Sequence, residues 1–124
     1  YFDDLVMQRM SCINSNEGDV VILISHSGRT KSLVELAELA RKNGATVIAI
    51  TSQGTPLAKV ANLSILLDVP EDTDIYMPMV SRLAQLTIID VLATGFTLRS
   101  GSSFRDNLKR VKEALKESRF DKFS

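Results

Sequence analysis

The chain is 124 residues long and 44% hydrophobic, enough for one globular domain with a single core and too apolar for intrinsic disorder. Lys plus Arg and Asp plus Glu both number 15, which excludes a whole-domain electrostatic grip on nucleic acid. One cysteine, Cys12, leaves no internal disulfide and fits a reducing cytoplasm, and no apolar run is long enough to span a bilayer.

Tyr1 and Phe2 read as the end of a strand. Asp3 or Asp4 is placed to cap a helix reaching about Ile13, with Leu5, Val6, Arg9 and Met10 at helical spacing and Cys12 packed inside. After a polar turn over 14–18, residues 20–24 are uninterrupted and rich in β-branched side chains, as in a parallel strand covered on both faces. Residues 31–42 predict an amphipathic helix through Leu33, Val34, Leu36, Ala37 and Ala40, stopped by Asn43-Gly44. A second buried strand follows over 46–50. Residues 52–56 form a turn, Pro56 opens a short helix over 57–61, and a third strand covers 63–67.

An acidic loop, 68–74, leads to a long helix from about Pro78 to Leu98. Leu83, Leu86, Ile88, Ile89, Val91, Leu92 and Phe96 surround most of its circumference, so it must be buried on more than one side. In so small a domain the second side is expected to be another subunit, in a homodimer or tetramer. The last helix, 103–118, carries a narrow stripe of Phe104, Leu108, Val111 and Leu115. The alternation of strands and helices predicts an α/β fold with a parallel sheet and helices on both faces.

The stretch Ser25-His26-Ser27-Gly28-Arg29-Thr30 lies between the first buried strand and the helix behind it. A strand, a hydroxyl- and glycine-rich turn and a helix in that order aim backbone N–H groups at one point, at the positive end of a helix dipole. Gly28 lets the backbone approach a ligand, and Ser25, Ser27 and Thr30 add three hydroxyls. A phosphate monoester is the ligand that suits this arrangement. The plain alternative is that Ser27 or Thr30 caps the helix, which accounts for one hydroxyl and not for three plus a glycine.

The sequence contains neither a nucleotide P-loop nor a Gly-x-Gly-x-x-Gly turn nor a Gly-x-Ser-x-Gly elbow. His26 is the only histidine, so the usual multi-ligand zinc site cannot be built, and neither a metal nor an organic cofactor is expected. His26 could shuttle a proton on a bound sugar, donate to a ligand hydroxyl or cap local backbone, and ligand contact without catalysis is the favoured reading. Ser52, after the next strand, is a further candidate contact, or else a plain turn serine.

The pattern Ser-x-Ser-Gly-x-Thr resembles the signature turn of the phosphosugar-binding SIS (sugar isomerase) domain, and every specified position matches. The resemblance runs from about Asp19 to Arg119. It includes Thr51-Ser52, Pro56-Leu57-Ala58 and the apolar helix near residues 83–96. Within SIS domains, Ile-Ser-His-Ser-Gly-Arg-Thr-Lys is most similar to the RpiR family of bacterial transcription regulators. The segment from Leu108 to Phe120 is similar to the family's regulators of hexose catabolism.

That resemblance implies a three-layer SIS-type sheet in flavodoxin-like order. It also implies a C-terminal domain that senses a sugar phosphate, 2-keto-3-deoxy-6-phosphogluconate in the hexose regulators, at Ser25, His26, Ser27, Gly28, Arg29, Thr30 and Ser52. Residues 1–124 are then expected to be this domain alone. The family's N-terminal helix-turn-helix domain and the first SIS strand, with its Gly-x-Gly-x-Ser turn, are expected to be missing, and contact with DNA would come only through the missing domain.

SIS-type sugar-phosphate isomerases are the rival class, and a bare dimerisation module is a third reading. Isomerases need a general base, and several of them carry Glu where this chain has Arg29, which stays protonated and cannot be that base. Arg29 could instead steady the carboxylate of a sugar acid, so no enzymatic activity is expected. Residues 99–124 hold eight basic side chains against four acidic ones. Asp106–Arg110 and Lys109–Glu113 nevertheless sit at i,i+4, as on an ordinary solvated helix face.

Overall fold

The computed structural model describes residues 4–70 and 79–117. The expected strand at Tyr1-Phe2, Asp3, Pro78, Ser118 and the acidic loop beyond Pro70 lie outside the described residues. Helix α1 (Leu5–Ile13) starts where the carboxylate of Asp4 accepts the Met7 N–H at 3.0 Å. Strand β1 (Val20–Ser25), helix α2 (Lys31–Lys42), strand β2 (Thr46–Thr51), helix α3 (Pro56–Val60) and strand β3 (Leu63–Leu66) follow. Each lies within a residue or two of its predicted limits. Gly44, at φ +90°, ends α2 as a left-handed residue should.

The three strands are parallel and ordered β1-β2-β3, as the last three strands of a flavodoxin-like sheet are. Val20 to Ser25 pair in register with Thr46 to Thr51, and Ile48 to Thr51 pair with Leu63 to Leu66. Paired residues of parallel strands share a face, so Leu23, Val47 and Ala49 point to one side. There they meet Leu36, Ala37 and Ala40 of α2, Leu57 of α3 and Cys12 of α1 in one buried core. Leu36, Val47 and Leu57 are almost fully enclosed, and each such side chain stabilises the fold by about 1.5–3 kcal/mol.

Side-chain amides and a guanidinium close the ends of these elements. Asn43 Nδ2 donates to the Cys12 and Ile13 carbonyls at 3.1 and 3.0 Å, which satisfies the last turn of α1. Arg41 does the same for the Val60 carbonyl at 2.6 Å. Asn62 begins the β2–β3 pairing, since its Oδ1 accepts the Val47 N–H at 2.8 Å and its N–H donates to the Val47 carbonyl at 2.9 Å.

Two regions differ from the sequence expectation. On the second face of the sheet Ile50 is fully buried, but Val20, Ile22 and Leu63 are 44–58% exposed. The physical reason is that β1 and β3 each pair only with β2 among the described strands, which makes apolar runs of interior character edges. The second region is helix α4 (Val80–Arg99), expected to be buried on more than one side. Its Leu83, Leu86, Val91, Phe96 and Leu98 are 62–66% exposed in the single chain.

The chain divides into two compact units within α4, between Gln85 and Leu86. In the second unit, α4 turns into helix α5 (Ser102–Glu117) at Ser100-Gly101. The Ser100 hydroxyl donates to the Phe96 carbonyl at 2.6 Å, and Phe96 meets Phe104 edge to face with ring centroids 5.3 Å apart.

Leu57 lies beneath the turn that follows β1, so Leu57→Ala should open a cavity in the core. In the full-length protein we expect a shift of the denaturant midpoint equivalent to a loss of about 2–5 kcal/mol. Urea titration followed by circular dichroism would measure it.

Candidate functional site

The residues singled out from the sequence gather at the carboxyl end of the sheet, where open α/β sheets bind ligands. Ser25 is the last residue of β1, Thr30 occupies the N-cap of α2, and Ser52 follows β2 directly. Ser25, His26 and Ser52 are half-buried, Ser27, Arg29 and Thr30 are exposed, and Gly28 is buried. Ser25 Oγ accepts the Gly28 N–H at 3.1 Å, and Ser27 Oγ accepts the Arg29 N–H at 3.4 Å. Two of the three hydroxyls thus turn inward onto the turn's own donors.

The third hydroxyl behaves differently. Thr30 has extended N-cap geometry, and its carbonyl accepts the Leu33 and Val34 N–H groups at 3.1 and 3.2 Å, but its side chain makes no capping bond. The first turn of α2 contains no acidic residue, although such residues are favoured there. Lys31 and Ser32 are too early in the helix to have intrahelical acceptors for their N–H groups. Arg29 lines an open depression of about 370 Å³ with Lys31, Val34, Glu35 and Pro56. A larger depression of about 520 Å³ lies at the other end of β1 against α1, where Met7 and Met10 line it.

A second loop, residues 52–55 between β2 and α3, holds this turn in place. Gly28 has φ +59°, and an added β-carbon would overlap Thr51 Oγ1 and Thr55 Oγ1 and lie 2.5 Å from Thr55 Cβ. The Gly28 carbonyl accepts the Leu57 N–H at 3.0 Å, and the His26 carbonyl accepts the Ser52 hydroxyl at 2.7 Å. Within the second loop Thr55 Oγ1 donates to the Ser52 carbonyl at 3.0 Å and accepts the Ala58 N–H at 3.3 Å. Asp68 Oδ1, beyond β3, accepts the Gln53 N–H at 3.1 Å.

Sequence reasoning assigned Thr51, Thr55 and Asp68 no part in the site. A threonine before Pro56 is a legible helix cap. The approach of Thr51 to Gly28 left no local signal, because 22 residues of chain lie between them.

Several chemistries find no support among the described residues. No group of three His, Cys, Asp or Glu side chains could hold a metal ion, and no helix is long and apolar enough to cross a membrane. Cys12 is buried far from the turn, and burial pushes its thiol pKa up, which keeps it protonated and a poor nucleophile.

Gly28→Ala combines a left-handed backbone with steric overlap, so it should cost about 2 kcal/mol or more. Differential scanning calorimetry of the full-length protein should show a lower melting temperature. An unchanged melting temperature would mean that the two loops are not packed as described.

The model of the SIS domain family matches residues 3–95 of the chain. The chain is 80% identical over 122 residues to the HTH-type transcriptional regulator HexR of Escherichia coli (strain K12), covering 98% of this chain and 42% of that protein. It is 52% identical over 117 residues to the HexR of Pseudomonas aeruginosa, covering 94% and 41%. The solved structure of the Vibrio vulnificus NanR protein complexed with ManNAc-6P matches with a TM-score of 0.81 at 26% identity, over 97% of this chain and 46% of NanR. The chain therefore spans less than half the length of each of these relatives. The hydroxyl-rich turn, the parallel sheet that presents it and the match over three-quarters of the residues agree, and the chain belongs to the SIS domain family.

Proposed function

We propose that residues 1–124 are the C-terminal effector-binding domain of a bacterial, HexR-like regulator of sugar catabolism in the RpiR family, acting in the cytoplasm. The effector is a phosphorylated sugar or sugar acid, and the HexR likeness favours 2-keto-3-deoxy-6-phosphogluconate. One observation carries the reading: α2 begins with a threonine that does not cap it and a first turn without an acidic residue. The first turn of the helix therefore supplies no anion of its own, and a ligand phosphate fits that role. That NanR, a relative of the same fold, is complexed with ManNAc-6P supports it.

In this reading the phosphate displaces the Ser25 and Ser27 oxygens as acceptor for the N–H groups of Gly28 and Arg29. The freed hydroxyls turn their hydrogens toward phosphate oxygens, and Thr30 adds a third donor. His26 contacts a sugar hydroxyl, Arg29 steadies the carboxylate of a sugar acid, and Ser52 flanks the site. No residue is assigned a catalytic role, because a guanidinium stands at position 29, where several isomerases of this fold carry Glu, and a guanidinium is not a general base. Contact with DNA belongs to a helix-turn-helix domain outside these residues.

The exposed apolar side chains of α4 support assembly as a homodimer or tetramer. An obligate interface of this kind buries roughly 2,000 Å² or more in total, and a dimer would present two DNA-binding domains to a two-fold operator. The effector then acts through unequal affinity for the DNA-competent and DNA-incompetent assemblies.

Calorimetry on the full-length protein with 2-keto-3-deoxy-6-phosphogluconate tests the site. Ser25→Ala and Ser27→Ala should each weaken binding about tenfold or more, since a hydrogen bond to a charged group contributes about 1.5–3 kcal/mol. Unchanged affinity in both variants would remove the phosphate from this turn. Incubation with a panel of sugar phosphates should give no aldose–ketose conversion, and turnover that disappears in His26→Ala would establish an isomerase instead. Light scattering of the full-length protein at micromolar concentration should give a dimer or larger, and a monomer would overturn the assembly.

A further inference from the structure

The β1–β2 ladder ends at the pair Ser25 and Thr51, and the β2–β3 ladder ends at Thr51 and Leu66. One residue further on, the two sides of β2 are treated differently. Toward β3 the backbone pairing continues, with the Leu67 N–H donating to the Thr51 carbonyl at 2.9 Å. Toward β1 a side chain takes over, with the Ser52 hydroxyl donating to the His26 carbonyl at 2.7 Å. The Leu67 carbonyl lies 3.5 Å from the same oxygen. One hydroxyl thus stands among residues that follow all three strands, and its single hydrogen serves the nearer acceptor, His26.

We propose that Ser52 is a positioning residue for the phosphate turn, acting through the His26 carbonyl rather than by touching the ligand. This deepens the reading of residues 25–30 as a phosphate turn and rests on it. A trans peptide points its C=O and N–H in opposite directions. Tying the His26 carbonyl to Ser52 therefore fixes the Ser27 N–H on the side away from Ser52. Two residues later the Leu57 N–H holds the Gly28 carbonyl at 3.0 Å, which fixes the peptide that carries the Arg29 N–H. Two peptide planes of the turn are set from the second loop before any ligand arrives.

The clamp is itself anchored, because Thr55 Oγ1 donates to the Ser52 carbonyl and Asp68 accepts the Gln53 N–H. A phosphate needs donors, and a hydroxyl already donating to His26 has no second hydrogen to offer. Preorganised donors bind more tightly because less ordering remains to be done on binding.

The test uses the full-length protein, with serine amides labelled by ¹⁵N and with 2-keto-3-deoxy-6-phosphogluconate and inorganic phosphate as probes. Without ligand, Ser52→Ala should move the Ser27 amide resonance and leave Ser64, at the β2–β3 pairing, in place. The same variant should weaken both probes about tenfold, the size of one lost hydrogen bond. Ser52→Thr, which keeps the hydroxyl, should restore both the Ser27 resonance and the affinity.

Ser25→Ala and Ser27→Ala are the controls for the underlying reading. If Ser25→Ala and Ser27→Ala both bind the two probes as the unmutated protein does, the turn is not the phosphate site and the clamp falls with it. If either loses affinity while Ser52→Ala keeps it, the phosphate turn stands and the clamp alone is overturned. A loss in Ser52→Ala that Ser52→Thr does not restore, or a shift that reaches Ser64, would also overturn it.

Discussion

At the carboxyl end of the sheet Gly28 lies so close to Thr51 and Thr55 that no β-carbon fits between them. The contact follows from strand register. Ser25 and Thr51 are paired, so the two loops that leave these strands start side by side and must pack against each other. A residue with a side chain at position 28 would push them apart, and the left-handed backbone there would resist it as well. With glycine in place, the Gly28 and His26 carbonyls come within hydrogen-bonding reach of Leu57 and Ser52. The shape of the turn at residues 25–30 is therefore a property of two loops, of which only one carries the recognisable motif.

The core beneath is small and one-sided. Alanines at 37, 40, 45 and 49 are all buried, and they let α2 lie close to the sheet with Leu36 and Leu57 as the larger side chains. Close packing of this sort fixes where α2 begins, and so where its positive end points. The other side of the energetic balance is apolar surface left open. Val20 and Ile22 of β1, and the leucines of α4, have the composition of interior residues and the exposure of surface ones. Clusters of exposed apolar side chains mark interaction surfaces.

Sensor and isomerase can share one phosphate turn because holding a phosphate and moving a proton are separate tasks. The first needs oriented N–H groups and hydroxyls, which a strand, a turn and a helix supply from backbone geometry. The second needs a base of suitable pKa within reach of a carbon-bound proton. A guanidinium is suited to the first task for an anionic ligand and unsuited to the second. A ligand held in this way does regulatory work only as far as it prefers one assembly over another.

The amino-acid sequence by itself determined the order and limits of the elements. The β-branched run at 20–24, the amphipathic spacing of α2, Asp4 before α1 and Pro56 at the start of α3 act over a few residues, and local forces suffice to express them. The turn at 25–30 was legible for the same reason, since its serines, glycine and threonine are contiguous. Tertiary structure alone decided what depends on residues brought together from afar. Ser52 reads as a turn serine or a ligand contact until β2 and β1 are aligned, and then its hydroxyl is found on the His26 carbonyl. Thr30 reads as a phosphate hydroxyl or a helix cap until the helix is built, and then its side chain makes no capping bond. The burial inferred for β1 and α4 was likewise a statement about neighbours. Sequence reports that a segment needs an apolar partner, because hydrophobicity belongs to the residue. It does not report which surface provides one, because burial belongs to the assembly.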